Sequence, residues 1–571
     1  NGLVASAWSS TQDACEFSIN RQTLKDLGWN GNVNTLHFQV FTVKDGTANT
    51  PAGAGELSGR NDVTDTIGDD WINSDYWKDG SNISLNGKLG SWFGRGDAWN
   101  DRGKAAKVLL LAHANHALQP ASFIHGLIKT TSTTNSPGYS RWLKVHEDNS
   151  APVSLHLTAT LASALQWANS TDTTKDGAAF NGRIKVGVAQ GWLDLLGTTF
   201  ADHVIKYFPQ ELNRQNILAA QEVLDGIYGS GSALSSRLVF WPCERVLDNA
   251  SLEQIRQIGF PFTFADQSRH MVKWFGRSSA LGDNGYRINE VNGMKIIPIH
   301  DTASDYLGQT YDSGTALQIR QLLSRRARGG VEDQVVTLWR DLGDMGSEAT
   351  LASYETNVRW LVRRPWVKLV TATDIAAGRV PYKGTDGNSY TTWGKISQGT
   401  NKTLALSAKD WIDHANQENY DNWYNGSAYE EGLKNKKFQI RTGVSNSLGF
   451  GQPGTSNTVS DRVWNSLSAI GTNQPVSLLA RVTLGSSLFQ TAFHNTTNSD
   501  LSKFSTGDYI NPDTTTGQTL ADFAKFSQAQ TRTANVYGRV QQWASTAIST
   551  TLATATEDVD LDGENEYLLY N

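Results

Sequence analysis

The chain has only two cysteines, Cys15 and Cys243, among its 571 residues. A framework of disulfide bonds is therefore excluded as the source of its stability. No apolar run approaches the length of a bilayer, so no membrane span is predicted. Lysine and arginine number 50 against 56 acidic residues, and they form no basic stripe. Nucleic-acid binders depend on clustered cationic side chains, so nucleic acid is not a predicted partner.

Several catalytic motifs are missing as well. The sequence has no Gly-x-Ser-x-Gly elbow, no His-Glu-x-x-His helix, no phosphate-binding glycine loop and no Cys-x-x-Cys pair. Each of these motifs carries a specific chemistry, from acyl transfer to zinc-dependent hydrolysis. The reactive groups that remain are carboxylates and imidazoles.

Aromatic residues are abundant, with 19 tryptophans, 17 tyrosines and 20 phenylalanines. Many tryptophans stand near Asn, Asp or Gly, as Trp411 and Trp423 do. Sugar rings are bound by flat aromatic rings together with amides and carboxylates. The composition thus favours a carbohydrate ligand, while core packing is the alternative reading for any single tryptophan.

The sequence pattern divides the chain into four zones. We expect a β-rich segment over 1–104, a catalytic barrel over 105–378, a helical domain over 379–555 and an Asp-rich turn over 556–571, which leads to a further β-domain that has been removed. Apolar runs in the second zone alternate with helix-like stretches, which is typical of βα units. The predicted strands are 107–112, 153–157, 237–241, 262–266, 294–299, 334–339 and 367–371, and the predicted helices are 214–228, 251–258, 313–325 and 351–362. The predicted fold class is α/β, an incomplete (β/α)7-type barrel.

Polar residues follow or end the predicted strands. They are His113, His156, Glu244, Asp266, Asp301 and Asp341. In such barrels the reactive groups lie at the carboxyl ends of the strands, so we expect these side chains around one mouth. A site rich in carboxylates suits glycoside hydrolysis, in which one carboxyl group attacks and a second protonates the leaving oxygen.

Two short segments resemble signature regions of glycoside hydrolase family 57. Phe240–Val246 contains Trp-Pro-Cys-Glu and is similar to the third region, whereas Val335–Asp341 is similar to the fourth. Gly191–His203 resembles the second region, and the likeness covers most of 105–378. The chain looks nearest to extracellular amylopullulanase-like members.

The resemblance implies a retaining enzyme that cleaves α-1,4 glucosidic bonds of starch, glycogen or pullulan. Whether it also cleaves α-1,6 bonds is left open. It implies Glu244 as nucleophile, Asp341 as general acid/base and no organic cofactor. The implied substrate-binding residues are His113, His116, His156, His203, Trp241, Arg245, Asp301 and Trp339.

The sequence departs from the family pattern in three places. The first region reads His113-Ala-Asn-His116 before Gln-Pro, so the imidazole that meets sugar is left open, with His113 favoured because it ends a strand. The fourth region continues Asp341-Leu-Gly-Asp344 and lacks the usual Glu. The second region has Asp194 where Glu is usual.

The last stretch alternates carboxylates. Asp558, Asp560, Asp562 and Glu566 form either the start of a calcium loop or a solvated acidic turn, since the residue in the twelfth position is Leu569. The chain begins at Asn1 without a signal peptide. We interpret this, with the low lysine content, as an exported extracellular protein whose signal has been removed.

Three rival functions stay open. The first is a 4-α-glucanotransferase, which replaces water with a second sugar. The second is a glucan-binding protein without activity, and the third is a metal-dependent deacetylase on a similar barrel. The pattern predicts no oligomeric state.

Overall fold

The computed structural model describes residues 3–9, 14–26, 37–38, 40–43, 63–67, 87–88, 106–114, 121–128, 138–229, 238–275, 281–310, 313–329, 334–345, 347–362, 367–377, 394–395, 459–489, 522–545, 553–561 and 565–570. No helix among these residues is long and apolar enough to cross a membrane.

The described residues before 105 form short antiparallel pairs. Strand β1 (Leu3–Ser9) pairs with β2 (Ala14–Ile19), which is followed by helix α1 (Arg21–Asp26). Strand β3 (His37–Phe38) pairs with β6 (Gly87–Lys88), and β4 (Val40–Val43) with β5 (Val63–Ile67).

Seven strands then form the sheet that carries the site. They are β7 (Ala106–Ala114), β8 (Val153–Leu157), β9 (Leu193–Leu195), β10 (Val239–Phe240), β11 (Phe262–Asp266), β13 (Met294–Ile299) and β14 (Val335–Asp341). Parallel pairing runs β14-β7-β8-β9 on one side and β10-β11-β13 on the other. The predicted fold class, a parallel α/β fold consistent with an incomplete (β/α)7 barrel, is confirmed.

Two narrow seams join these halves. Gly197 bridges to Phe240 in parallel, and the His300 amide donates to the Thr337 carbonyl at 3.0 Å. A Cβ at Gly197 would lie 2.2 Å from the Phe260 ring, so only glycine permits this close approach. Short pairing at both seams explains why the barrel is incomplete.

Side chains that alternate along the strands form two separate apolar layers, one inside the ring and one outside it. Leu109 and Leu111 lie with Trp241 and Phe264 in one buried cluster inside the ring, whereas Val108 and Leu110 pack outward against helices. Because successive side chains point to opposite faces, this parity decides which polar residues reach the interior.

Helices surround the ring on its outside and at the end where its strands begin. They are α2 (Ala121–Ile128), α3 (Tyr139–Asn149), α4 (Ala159–Trp167), α5 (Gly177–Gln190), α6 (Gln210–Tyr228), α7 (Asn249–Ile258), α8 (Val272–Phe275), α9 (Gly314–Gly329), α10 (Glu348–Val362) and α11 (Ala372–Ala376). Side-chain caps fix several starts; Thr158, Asp176 and Asp248 each accept a backbone N–H of the first turn.

Three further strands border the ring. Strand β12 (Asn289–Val291) pairs antiparallel with β13 and parallel with β16 (Gly394–Lys395). Strand β15 (Val367–Val370) pairs with the first half of β7. The predicted strand 367–371 is thus present but lies beside the ring, while β9 completes it.

The described C-terminal part is helical and ends in a hairpin. Its helices are α12 (Val459–Ser468), α13 (Pro475–Ser487) and α14 (Asp522–Ala544). Arg481 of α13 donates to Gln215 of α6 at 2.5 Å, which ties these helices to the barrel. Strands β17 (Ala553–Glu557) and β18 (Glu566–Tyr570) pair antiparallel around the acidic turn. The predicted domain boundaries stay predictions.

Candidate active site

Three predicted site residues lie at one level of the sheet. His113 of β7 is in register with His156 of β8 on one side and with Asp341 of β14 on the other. Register partners in parallel strands point to the same face. The three side chains therefore project from the carboxyl ends of neighbouring strands on the interior face, as the sequence predicted.

The two imidazoles contact each other directly. The Nδ1 atoms of His113 and His156 are 2.8 Å apart, and the rings stack with centroids 4.7 Å apart. The indole of Trp241 packs against both, at 5.0 and 5.6 Å between centroids. Burial lowers the pKa of His156 to about 3, so this ring is neutral.

Glu244 stands in a strained turn after β10. A short 3-10 segment, Cys243–Arg245, follows Pro242, and Glu244 and Arg245 have φ of 51° and 53°. Left-handed backbone costs a residue with a Cβ about 1–2 kcal/mol. Such conformations persist where the surroundings over-determine them, and they concentrate at functional sites. Glu244 is 1% exposed, so this strain fixes a buried carboxylate at the mouth.

Arg245 connects this turn to the strand of Asp341. Its Nε donates to Asp266 of β11 at 3.3 Å, and its guanidinium lies 4.4 Å from the centroid of the Trp339 ring. Trp339 precedes Asp341 by two positions on β14, so both face the same side. The Glu244 turn and the strand of Asp341 are therefore connected through the contact between Arg245 and Trp339.

Asp341 lies on the more open side of this group. Its side chain is half-buried, as is that of Trp339, and its Oδ1 accepts from the Gly343 amide at 2.7 Å. Burial raises the pKa of Tyr139 well above its usual value, and the nearby Asp341 carboxylate raises it further. Solvent reaches the site from the side of β14.

Asp202 is a functional candidate that sequence reasoning missed. It is 1% exposed and has a φ of 61°. Its carboxylate oxygens lie 3.8 Å from Nε2 of His113 and 3.7 Å from Nε2 of His156. Ligand-type atoms of Asp202, Cys243 and Glu244 all lie within 4.8 Å of one another. The sequence does carry a signal for Asp202, because it lies in the loop after β9, at the end of the strands where polar functional residues are expected.

Cys243 forms the wall of this pocket. Its thiol donates to the Asp202 carbonyl at 3.0 Å. Burial raises the pKa of this thiol well above its usual value, and the carboxylates of Asp202 and Glu244 raise it further. A thiol held protonated is a poor nucleophile, which agrees with a packing role.

His203 and Asp301 make other contacts. The Nε2 of His203 lies 2.7 Å from Asn213 Oδ1, and its ring packs on Phe208. Burial lowers the pKa of His203 to about 4. Asp301 accepts from the amide and the hydroxyl of Ser268, which is loop capping. Sugar binding by these two residues stays a prediction.

A metal ion fits this pocket poorly. Ligand-type atoms of His113, His156 and Asp202 lie within 4.8 Å of one another. However, the two Nδ1 atoms contact each other, and His156 Nε2 bonds to Thr198 Oγ1 at 2.7 Å. An ion bound by both imidazoles would have to break one of these bonds. The donor set therefore argues against the metal-dependent deacetylase.

Two predicted site residues, His116 and Asp562, lie outside the described residues. At the acidic turn, carboxylate atoms of Asp558, Asp560 and Glu566 lie within 4.8 Å of one another, as calcium binding requires. Glu566 also accepts from the Val559 amide at 2.6 Å, which a solvated turn would explain equally well.

Residues 140–383 match the model of glycosyl hydrolase family 57. The match spans less than half of the chain and includes Glu244 and Asp341, while β7 with His113 precedes it. A search of the curated proteins found no match.

Solved structures similar to this chain share little sequence. A 4-alpha-glucanotransferase from Thermococcus litoralis is 13% identical with a TM-score of 0.48, covering 82% of this chain and 63% of its own, less than two thirds of its length. A family 57 branching enzyme from Pyrococcus horikoshii is 11% identical (TM-score 0.45, 78% and 92% covered). An alpha-amylase from Thermotoga maritima is 10% identical (TM-score 0.46, 78% and 95% covered).

Proposed function

We propose that this protein is a retaining glycoside hydrolase that acts on α-glucans, with Glu244 as nucleophile and Asp341 as general acid/base. The observation that carries the proposal is the strained, buried turn that places Glu244 three residues after Trp241, whose ring packs against His113, the register partner of Asp341. The match of residues 140–383 to a glycosyl hydrolase family supports it from the sequence.

The reaction follows from the two carboxyl groups. Glu244 attacks the anomeric carbon while Asp341 protonates the departing glycosidic oxygen, which gives a glycosyl-enzyme. Asp341 then takes a proton from the incoming water as that water attacks the same carbon from the opposite side. Two displacements restore the original configuration. Asp341 borders the open side of the site, where leaving group and water must pass.

Trp339, which is half-buried, is the aromatic side chain placed to supply an apolar face for the sugar ring, whereas Trp241 beside it is 1% exposed. Trp241 and Trp339 have ring centroids 6.1 Å apart, and the Arg245 guanidinium lies over both rings, 5.7 and 4.4 Å from their centroids. The indole N–H groups of both tryptophans are buried without a hydrogen-bond partner among the described residues. Sugar hydroxyls are suitable acceptors for such donors. Arg245 adds a charged donor beside these rings, and sugar binding by His113 and His156 stays a prediction.

Transfer to a sugar acceptor is the second candidate. Glu244 is 1% exposed, and Trp241 and Trp339 lie against the neighbouring Arg245, so an acceptor sugar would meet aromatic rings beside the glycosyl-enzyme. An acceptor sugar that binds the same aromatic surface would then compete with water. A 4-α-glucanotransferase activity keeps both carboxyl groups in the same roles.

Products distinguish these functions. Amylose, pullulan and dextran are each incubated with the protein, with and without added maltose, and the products are sized. Shorter chains from amylose or pullulan, with the α-anomer first detected by NMR, would support retaining hydrolysis. Longer products that appear only with maltose would support transfer. A protein that retains starch and turns over no substrate would instead be a silent glucan binder.

Other predictions stay open beside this proposal. The amylopullulanase-like activity, export from the cell and calcium at the acidic turn stay predictions. No organic cofactor is needed by the double displacement, because both acid/base and nucleophilic steps use side chains of this chain.

A further inference from the structure

A chain of hydrogen bonds assigns the protons on the two imidazoles. Thr198 Oγ1 donates to the Thr199 carbonyl at 2.9 Å, so it accepts from the Nε2–H of His156 at 2.7 Å. His156 is neutral, and its Nδ1 therefore carries a lone pair. That lone pair accepts from the Nδ1–H of His113 at 2.8 Å. His113 consequently has only Nε2 left to gain or lose a proton.

The Nε2 atom of His113 faces a carboxylate. Its Nε2 lies 3.8 Å from Asp202 Oδ2, and both side chains are 2% exposed. Two facing lone pairs on a neutral imidazole and an ionised carboxylate would repel each other in this dry pocket. One proton between the two groups turns that repulsion into attraction.

The same carboxylate lies close to the nucleophile. Asp202 and Glu244 have carboxylate atoms within 4.8 Å of each other. Two negative charges at this separation oppose the ionisation of either group. Glu244 must be ionised to attack, so a proton shared with Asp202 favours that ionisation.

Other charged and titratable groups surround this pair. From the elements packed on the site they are Cys243, Glu244, Arg245, Asp266, His156, His203 and Asp341. Burial keeps His156 and His203 neutral and Cys243 protonated, and Arg245 pairs with Asp266. Of the groups that can gain a proton here, His113 is the one whose Nε2 directly faces Asp202, at 3.8 Å.

We propose that Asp202 is a positioning residue that shares one proton with Nε2 of His113, so that this neutral pair lets Glu244 stay ionised. The proposal rests on the proposed function, because it assigns Glu244 the attacking role. It also changes the part played by His113, whose ring nitrogens both point at protein atoms rather than at a sugar.

A double-mutant cycle on the pH profile tests this pairing. The acid limb of kcat/KM reports ionisation of Glu244 in the free enzyme. His113→Gln removes the proton that faces Asp202, so the acid limb should move up by about one pH unit. In the Asp202→Asn background the same His113→Gln change should leave the acid limb in place. An equal shift in both backgrounds, or no shift in either, would overturn the proposal.

Asp202→Asn is a suitable variant for this backbone. Asparagine tolerates the left-handed conformation that Asp202 adopts, so the turn can be kept while the charge is removed. Asp194→Asn is the matched control, since Asp194 is equally buried but bonds to Ser154 and Thr373. The control should leave the acid limb unchanged.

A second readout does not depend on activity. NMR of protein labelled at the imidazole carbons of histidine follows protonation of His113, with His113→Gln assigning its signal. The doubly protonated His113 should persist to a pH at least about one unit higher in the wild type than in Asp202→Asn. Equal titration in the two proteins would overturn the pairing. If the wild type turns over no glucan while this difference is present, the proposed function fails and the pairing stands.

Discussion

Two buried aspartates only eight positions apart show how differently the two ends of the barrel use a carboxylate. Asp194 of β9 accepts from Ser154 Oγ and from the Thr373 amide, each at 3.0 Å, and from the Thr373 hydroxyl. Asp202 instead has a left-handed backbone conformation, and its carboxylate lies near the imidazoles of His113 and His156 and near the carboxylate of Glu244. One group is surrounded by neutral donors, the other by groups that can exchange protons.

This difference follows the direction of the strands. Ser154 is the second residue of β8 and pairs with Asp194 of β9, beside the end of β15, and their bonds close the barrel where its strands begin. Asp202, Glu244 and Asp341 follow or end strands. There the backbone is not held by hydrogen bonds between strands, so loops can place these side chains freely. In barrels of this kind the carboxyl ends of strands carry chemistry and the opposite end carries stability.

The largest expected effect is on activity. Glu244→Gln should reduce kcat by at least about 10³-fold, because the amide cannot form a glycosyl-enzyme. Asp194→Asn should stay within about tenfold of the wild type at a temperature where it is folded. Initial rates on the preferred glucan measure both variants. Comparable losses of activity from the two substitutions would contradict the distinction between the two ends of the barrel.

The next effect is a loss of stability in acid. Burial lowers the pKa values of His146, His156 and His203 to about 4, 3 and 4. The unfolded chain binds protons to these residues from about pH 6.5 downward, while the folded chain stays neutral. Stability is therefore full above pH 6.5 and falls as the pH drops toward 4. Urea unfolding at pH 8, 6 and 5 measures this decline.

His146 separates this effect from the active site. It lies on α3, where its ring nitrogens contact the Ala151 carbonyl and the Tyr354 hydroxyl. His146→Gln should make the decline shallower by up to about 3 kcal/mol between pH 6.5 and 4. An unchanged slope in this variant would assign acid sensitivity to other groups.

A smaller effect is expected at Asp194. Burial raises its pKa to about 6 although three donors oppose that shift. Since the folded pKa exceeds the unfolded value, its contribution to stability is full below about pH 4 and is lost as the pH rises through 6. Asp194→Asn should cost about 2 kcal/mol near pH 4 and less near pH 7. A cost that grows with pH would contradict this account.

The smallest effect concerns calcium. If the predicted calcium loop forms at Asp558, Asp560 and Glu566, millimolar calcium should raise the melting temperature by a few degrees, roughly 1 kcal/mol of stabilisation. Asp560→Asn should abolish that increase and leave activity on short substrates unchanged. A solvated acidic turn would give the same melting temperature with calcium and with a chelator.

Most of the barrel could be predicted from apolar runs. The predicted strands 153–157, 262–266 and 294–299 have the observed bounds, and the four predicted helices coincide with α6, α7, α9 and α10 except for a few terminal residues. Strand β9 was missed because it is three residues long and has Asp194 at its centre. Its place in the ring comes from tertiary pairing, which no local pattern expresses.

The site was partly predictable for a related reason. Residues that end strands, such as His113, His156 and Asp341, come together because parallel strands share one direction. Asp202 follows a strand too short to recognise, and its position depends on a left-handed turn. The direct contact between two imidazoles depends on register between strands 43 residues apart, which the sequence does not reveal.

The central claim is that Glu244 forms a covalent bond to the sugar. Incubation with a 5-fluoro-α-glucosyl fluoride, which slows the second displacement, followed by proteolysis and mass spectrometry, locates that bond. The account predicts one added fluoroglucosyl group on the peptide that contains Glu244, and none in Glu244→Gln. A sugar bound to another carboxylate, or turnover of the reagent with inverted configuration, would contradict it.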